Sequence, residues 1–257
     1  MSVTTTRAGA ALPLVLLHAF PLDSRMWTAV AELLPDSVAV HVVDLPGAPG
    51  HSDGLPEPSL DASADWVARL LREAGIGRAV VVGLSMGGYV ALALVERHPE
   101  LVAGLGLVDT KSVADTPEAA ARRLETADLL EVSGTVDPVL PGIDGLLGDT
   151  TRTARPHVRE QVLAWVHDQV PVGLAWSQRA MAARPDRTGV LREFSGPVSV
   201  VVGDEDAVTP VEQARAMADA AGGRLVVVPR VGHLSAIEDP AAVAATLAEL
   251  VTRAEHT

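Results

Sequence analysis

The segment Gly83-Leu84-Ser85-Met86-Gly87 could supply a catalytic nucleophile. A serine between two glycines fits the sharp strand-to-helix turn called a nucleophile elbow, because small flanking residues let neighbouring backbone segments approach closely. The residues before it, Ala79–Val82, are typical of a buried strand, and the residues after it are typical of a helix. The N-terminus of that helix would favour negative charge near the hydroxyl group. We therefore predict that Ser85 is a nucleophile.

A serine hydroxyl needs a general base, and the base needs a group that orients it. His233 follows Gly232 in a loop after the last predicted strand, and we predict that it is the base. Five other histidines lie in less suitable places, namely inside a strand, on or at the end of a helix, or in the C-terminal tail. These are His41, His98, His157, His167 and His256.

Several carboxylates could orient the base. Asp204, Glu205 and Asp206 are adjacent in the loop after another predicted strand, and Asp206, which lies deepest in that loop, is our prediction. Asp109, which also follows a predicted strand, is an alternative position for the acid. A metal site at the acidic cluster is not expected, because no second group of ligands has suitable spacing and serine-based hydrolysis needs no metal.

Negative charge that develops on a substrate carbonyl needs hydrogen-bond donors. The loop after the first clear strand contains Phe20, and the backbone N–H groups of Phe20 and Met86 are the predicted donors. The neighbouring His18 is expected to have a structural role.

Strand-like and helix-like segments alternate along the chain, which predicts an α/β protein with a mostly parallel sheet and helices on both faces. The pattern is interrupted between Lys111 and Val190, where only helices are predicted. We therefore predict a core formed by residues 1–110 and 191–257, and a helical segment, residues 111–190, which we call the insertion. The predicted strands are Leu14–Leu17, Val38–Val43, Ala79–Val82, Val102–Val108, Val198–Val202 and Arg224–Val228. The predicted helices are Arg25–Leu34, Asp61–Ala74, Met86–His98, Pro117–Glu131, Ala154–Gln169, Val172–Arg184, Val211–Ala221 and Ala241–Arg253.

Composition excludes several classes of protein. The 257 residues carry a net charge of −13 without a basic stripe, which argues against nucleic-acid and anionic-membrane partners. There is no cysteine, so disulfides, thiolate metal sites and cysteine nucleophiles are excluded.

No apolar run approaches the roughly 20 residues that span a bilayer. No signal peptide is recognised, so a cytoplasmic location is expected. We predict no cofactor and a small-molecule substrate; the oligomeric state is left open.

With Ser85, Asp206 and His233 in this order, the sequence resembles the α/β-hydrolase family, and it is most like small esterase-type and enol-lactonase-type members. Four ordered segments carry the resemblance: His18–Pro21 is similar to the H-G-x-P oxyanion loop, Asp44–Ser52 to D-x-x-G-x-G-x-S, Gly203–Pro210 to G-x-x-D…P, and Gly232-His233 to the terminal G-H. The resemblance implies a sheet of seven or eight strands, with the insertion as a helical cap.

The sequence departs from the family pattern at three places. Ala19 replaces a usual glycine, which could crowd the oxyanion loop. Pro49 adds one residue to the Asp44–Ser52 segment. The N-terminal region is short, so the usual antiparallel hairpin at the sheet edge is expected to be abbreviated or missing.

The expected reaction is hydrolysis of a small, largely apolar ester or lactone through an acyl-enzyme. The same residues could also support C–C bond hydrolysis, perhydrolysis or a biosynthetic lyase or cyclase reaction, or a ligand-binding sensor that retains slow hydrolysis. Candidate residues of the substrate pocket are Trp27, Trp165, Trp176 and Met181.

Overall fold

A sheet of seven strands forms the centre of the part of the chain that the computed structural model describes, residues 4–7 and 12–257. The strands are β1 (Thr4–Arg7), β2 (Leu14–Leu17), β3 (Val40–Val43), β4 (Ala79–Leu84), β5 (Val102–Val108), β6 (Val198–Gly203) and β7 (Arg224–Val228). Their order across the sheet is β1-β3-β2-β4-β5-β6-β7. β1 is antiparallel to β3, and the other neighbouring pairs are parallel. The predicted mostly parallel sheet is therefore confirmed, with a single short antiparallel strand at its first edge.

Both faces of the sheet are buried, because side chains alternate between them along each strand. In β2, Leu14 and Leu16 belong to one hydrophobic core, and Val15 and Leu17 belong to the other. All four are fully buried, as expected for a central strand that is covered on both sides.

Helices cover both faces. The helices are α1 (Thr28–Leu33), α2 (Leu60–Glu73), α3 (Met86–Arg97), α4 (Pro117–Ser133), α5 (Asp149–Ala154), α6 (Pro156–His167), α7 (Pro171–Ala182), α8 (Thr188–Glu193), α9 (Val211–Ala221), α10 (Ser235–Glu238) and α11 (Pro240–Glu255). α1 and α11 contribute to the core on one face, and α2, α3 and α9 to the core on the other. None of the helices in the described ranges is long and apolar enough to span a membrane.

Residues 109–197, all of which the structure describes, contain no strand. α4 to α8 lie in this segment, together with a 3₁₀ segment, Asp137–Leu146. The predicted helix Ala154–Gln169 is wrong in one respect, because the chain leaves the helical conformation at Arg155, between α5 and α6. Pro156 explains the break, since proline disfavours a helical conformation in the residue that precedes it.

The predicted helix Arg25–Leu34 is also divided. A 3₁₀ turn, Ser24–Trp27, precedes α1. The side chain of Asp23 accepts a hydrogen bond from Arg25 N–H at the start of this turn.

The loop formed by residues 44–52 packs directly on the insertion. Gly47 has a φ of +97°, which favours glycine. A Cβ atom on Gly173, near the start of α7, would lie 2.0 Å from Gly47 O. The two backbones therefore touch because neither residue has a side chain.

Candidate active site

Ser85 lies at the turn between β4 and α3 with a φ of 51° and a ψ of −110°. This left-handed φ is unfavourable for a residue with a side chain and persists only where the surroundings impose it. The flanking glycines are required by close contacts: a Cβ atom on Gly83 would lie 2.1 Å from Gly87 C, and one on Gly87 would lie 2.2 Å from Leu17 O. The turn thus has the geometry of a nucleophile elbow.

Hydrogen bonds fix the backbone of Ser85. Its N–H donates to Val108 O at 3.0 Å, and its carbonyl oxygen accepts from Thr110 Oγ1 at 2.8 Å. Thr110 fits there because Gly88 has no side chain; a Cβ atom on Gly88 would lie 2.5 Å from Thr110 Oγ1. The end of β5 therefore supports the elbow.

A continuous line of hydrogen bonds joins Ser85, His233 and Asp206. His233 Nε2 lies 2.8 Å from Ser85 Oγ, and His233 Nδ1 lies 2.8 Å from Asp206 Oδ2. All three side chains are buried, which strengthens electrostatic interactions among them. With Nδ1 protonated toward Asp206, Nε2 is free to accept the serine proton. The arrangement can activate a hydroxyl nucleophile.

Asp206 is held by its own loop. Its Oδ1 accepts from the N–H groups of Val208 and Thr209 at 2.8 and 2.9 Å, and Thr209 Oγ1 donates to its Oδ2 at 2.7 Å. Burial opposes ionisation of Asp206, but the hydrogen bond and charge of His233, with the donors of Thr209, hold the pKa of Asp206 below its usual value. The carboxylate is therefore ionised and fixed.

The three adjacent carboxylates of this loop have separate partners. Asp204 Oδ1 accepts from the N–H of Arg230, and Glu205 accepts from the N–H and hydroxyl of Thr150 in the insertion. Within the described ranges, no group of three or more histidine and acidic side chains could hold a metal ion.

Asp109, the alternative acid, is fully buried and does not contact His233. Its Oδ1 and Oδ2 accept from the N–H groups of Gly203 and Ser235 at 3.1 and 2.9 Å. Burial, followed by the nearby charge of Asp206, raises the pKa of Asp109 well above its usual value. Both effects favour the protonated form of Asp109, and Asp206 is the carboxylate that bonds to His233.

The predicted oxyanion donors are available. Among the described residues, neither Phe20 N–H nor Met86 N–H has a hydrogen-bond acceptor.

His18 has the expected structural role. Its Nε2 accepts from Leu45 N–H at 3.0 Å, so its Nδ1 carries the proton and donates to Ala19 O at 3.1 Å. Burial lowers the pKa of His18, so the ring is neutral.

Ala19 does not strain the oxyanion loop. Its φ is not among the positive values, which outside glycine are confined to Ser85, Asp109 and Arg230 in the described part of the chain. Its N–H donates to the sulfur of Met26 at 3.2 Å. An alanine is therefore tolerated at this position because the backbone does not adopt a conformation that only glycine favours.

A crevice of about 190 Å³ begins at Phe20. Apolar residues of the 3₁₀ segment, including Ile143 and Leu146, form one wall, and Thr126 and Gln178 lie at its polar side. The backbone N–H of His233 donates to Leu146 O at 3.0 Å, so the crevice lies next to the loop that carries the base.

The four predicted pocket residues do not line this crevice. Trp27 has no exposed surface and packs in the core. Trp176 is buried with its Nε1 donating to Pro56 O, and the Met181 sulfur lies 3.5 Å from Arg123 Nη1. Trp165 lines a different surface crevice, beside Arg25.

Glu238 was not identified from the sequence. Its buried carboxylate accepts from three backbone N–H groups: Gly232 and Leu234, which flank His233, and Gly148 in the insertion, at 3.0 to 3.2 Å. Its carbonyl oxygen accepts from Arg155. Glu238 therefore joins the histidine loop to the insertion through backbone groups, which leave no pattern in the sequence.

Several known proteins are similar to this chain in sequence or in structure. A sequence model described as the alpha/beta hydrolase family matches residues 14–246. The chain is 31% identical to a 2-succinyl-6-hydroxy-2,4-cyclohexadiene-1-carboxylate synthase from Enterobacter sp. (strain 638), covering 96% of this chain and 95% of that protein. It is similar to the structure of a thermophilic esterase from Thermogutta terrifontis (34% identity, TM-score 0.92, 99% and 98% coverage). It is also similar to that of an enol-lactonase from Burkholderia xenovorans LB400 (26% identity, TM-score 0.84, 97% and 95% coverage).

Proposed function

Since the chain belongs to the α/β-hydrolase family, we propose that it is a serine hydrolase that cleaves a small ester or lactone through an acyl-enzyme intermediate. The observation that carries this proposal is the buried line of hydrogen bonds from Asp206 through His233 to Ser85 Oγ, each step 2.8 Å long. The similarity to an esterase and an enol-lactonase supports the substrate class.

In the first half of the reaction, Ser85 Oγ attacks the carbonyl carbon while His233 Nε2 takes the hydroxyl proton. The backbone N–H groups of Phe20 and Met86 donate to the oxyanion of the tetrahedral intermediate. The C–O bond then breaks, and the alcohol or enol leaves with the proton from His233. Asp206 stabilises the charged imidazole and keeps Nδ1 protonated.

In the second half, water attacks the acyl-enzyme and gives a proton to His233 Nε2. The bond from the acyl carbon to Ser85 Oγ breaks, the acid product leaves, and the serine recovers its proton. We propose that the insertion, residues 111–190, is the cap of this site, because its 3₁₀ segment forms a wall of the crevice at Phe20.

The test uses an active-site probe, because it requires no knowledge of the substrate. The protein is treated with a fluorophosphonate, and its intact mass is measured. We expect one adduct per chain in the wild type and in Ser133→Ala, an exposed serine of α4, and none in Ser85→Ala. Absence of an adduct in folded wild-type protein would contradict the proposal. Labelling without repeated turnover of simple p-nitrophenyl esters would favour a sensor.

A second candidate is a non-hydrolytic reaction that uses the same three residues. The observation that favours it is the 31% identity to a protein named as a synthase, over nearly the whole length of both chains. In that reaction His233 would move a proton of the substrate without an acyl-enzyme. To distinguish the two reactions, the protein is mixed with an ester, the mixture is quenched rapidly, and the mass of the protein is measured. Only the hydrolase carries a transient acyl group on Ser85.

A further inference from the structure

One buried carboxylate in the insertion has three cationic partners. Asp115 accepts from Arg184 Nη2 at 2.7 Å and Arg123 Nε at 2.7 Å, and Lys111 Nζ lies 3.2 Å away. Burial opposes ionisation of Asp115, but the two arginines and their hydrogen bonds hold its pKa well below its usual value. One negative charge thus balances one of three positive charges, and the cluster keeps a local positive excess.

Arg123 and Lys111 are the partly exposed cations of this cluster, whereas Arg184 is buried. Its Nε is held by Asp115, and its Nη1 donates to Gln178 Oε1 at 3.1 Å. Its Nη2 donates to no residue in the part of the chain that the structure describes, and the side chain is 23% exposed. The guanidinium group is therefore fixed in position with one edge open, which lowers the entropic cost of binding an anion there.

Arg123 lines a groove of about 240 Å³ together with Arg122, Thr126 and Gln178. Thr126 and Gln178 also line the crevice that begins at Phe20, so the groove and the crevice adjoin. We call the crevice and the groove together the path; its lining includes Phe20, apolar residues of the insertion, and the two arginines Arg122 and Arg123.

The charge at this end of the path contrasts with that of the whole chain. The net charge is −13, yet no residue that lines the groove is acidic. Glu118, four residues before Arg122 on α4, lowers the positive potential around Arg122 but does not line the groove. Arg123 is therefore the main anion-binding group that the path offers.

We propose that the Arg123 groove binds a carboxylate of the substrate, so that the preferred ester or lactone carries a carboxylate several bonds from the scissile carbonyl. This inference rests on the proposed function, because the scissile group must reach Ser85. A guanidinium group suits a carboxylate because its parallel N–H groups match the two oxygens. The apolar lining of the crevice, which includes Phe20 and adjoins the groove, fits a short hydrocarbon linker.

The test compares pairs of methyl esters of equal chain length. One ester of each pair is a half-ester with a free terminal carboxylate, and the other ends in a methyl group. A second set places the carboxylate on the alcohol side, as acetate esters of hydroxy acids, which shows whether the groove serves the acyl or the leaving part. The measured quantity is the ratio of kcat/KM for the charged ester to that for the neutral ester.

For at least one chain length in either set, we expect the ratio to exceed one in the wild type. In Arg123→Gln the ratio should fall by about 10- to 100-fold, because that is the size of effect typical of a charged hydrogen bond. Asp115 keeps Arg184 and Lys111 in this variant, so the fold should persist, which circular dichroism can verify. Arg123→Lys should lose part of the preference. Arg152→Gln, an exposed arginine of α5, should retain the wild-type ratio.

Ratios that stay at or below one in the wild type, or a preference that Arg123→Gln does not change, would overturn the carboxylate site and leave Ser85-dependent hydrolysis standing. Failure of every ester to be hydrolysed in a Ser85-dependent way would instead overturn the proposed function, and the substrate assignment with it.

Discussion

Asp206 Oδ2 lies 2.8 Å from His233 Nδ1, and no other carboxylate in the described residues bonds to this imidazole. We expect Asp206→Asn to lower kcat by about 10⁴-fold, because an amide stabilises the wrong tautomer of the histidine. Asp204→Asn is the matched control, since an amide oxygen can still accept from Arg230 N–H. Steady-state kinetics with a p-nitrophenyl ester measures both, and similar losses in the two variants would argue against Asp206 as the acid.

Glu238 is expected to position the histidine loop. In Glu238→Gln the amide has one acceptor oxygen for three backbone N–H groups, so the free energy of unfolding should fall by about 1–3 kcal/mol. We also expect kcat to fall by about 10- to 100-fold with little change in KM, because the base is displaced while the substrate still binds.

Urea unfolding and steady-state kinetics measure the two effects of Glu238→Gln. Glu249→Gln is the control, because this glutamate pairs with Arg224 on the exposed surface and such pairs contribute little. A Glu238→Gln enzyme with lowered stability and unchanged kcat would restrict this residue to a structural role.

The elbow should not tolerate a side chain at Gly87. The Cβ atom in Gly87→Ala would lie 2.2 Å from Leu17 O, so β2 and α3 must separate. We expect at least about 1–3 kcal/mol of destabilisation and loss of fluorophosphonate labelling. Gly189→Ala in α8 has open space around the new methyl group and should be neutral or stabilising by up to about 1 kcal/mol. Thermal unfolding and intact mass distinguish the two variants.

Asp109 should make stability depend on pH. Its pKa is raised in the folded protein, so the folded state holds this proton more tightly than the unfolded state. The stabilisation is complete below the unfolded pKa of about 4 and is lost as pH rises through the folded pKa. The unfolding free energy of the wild type minus that of Asp109→Asn should therefore decrease from pH 4 to pH 8. Urea unfolding of both proteins at several pH values measures this difference in unfolding free energy. A difference that does not change with pH would contradict the raised pKa of Asp109.

Much of the fold follows from local patterns. α9 and β7 have the predicted bounds, because an amphipathic period and a β-branched run are strong signals where packing reinforces them. The break before Pro156 was missed although proline predicts it, since helical segments lie on both sides of the break. β1 was missed because a four-residue edge strand depends on its pairing with β3.

Some residues of the candidate site could also be predicted from the sequence, whereas others could not. Ser85 and His233 stand in recognisable turns, and the structure brings them together. The choice between Asp109 and Asp206 needed coordinates, because it depends on which oxygen faces the imidazole and which ones bond to backbone. Trp27 is a predicted pocket residue that the structure packs in the core, and the sequence does not separate the two roles because an apolar residue of the core and one of a pocket have the same pattern.

The backbone of the insertion from Leu146 to Gly148 completes the surroundings of His233. Leu146 O accepts from His233 N–H, and a Cβ atom on Gly232 would lie 2.2 Å from Gly148 N. The insertion is therefore not a module that evolution or an engineer can exchange freely for another. A chimera that exchanges the insertion must therefore keep this short stretch as a fixed junction.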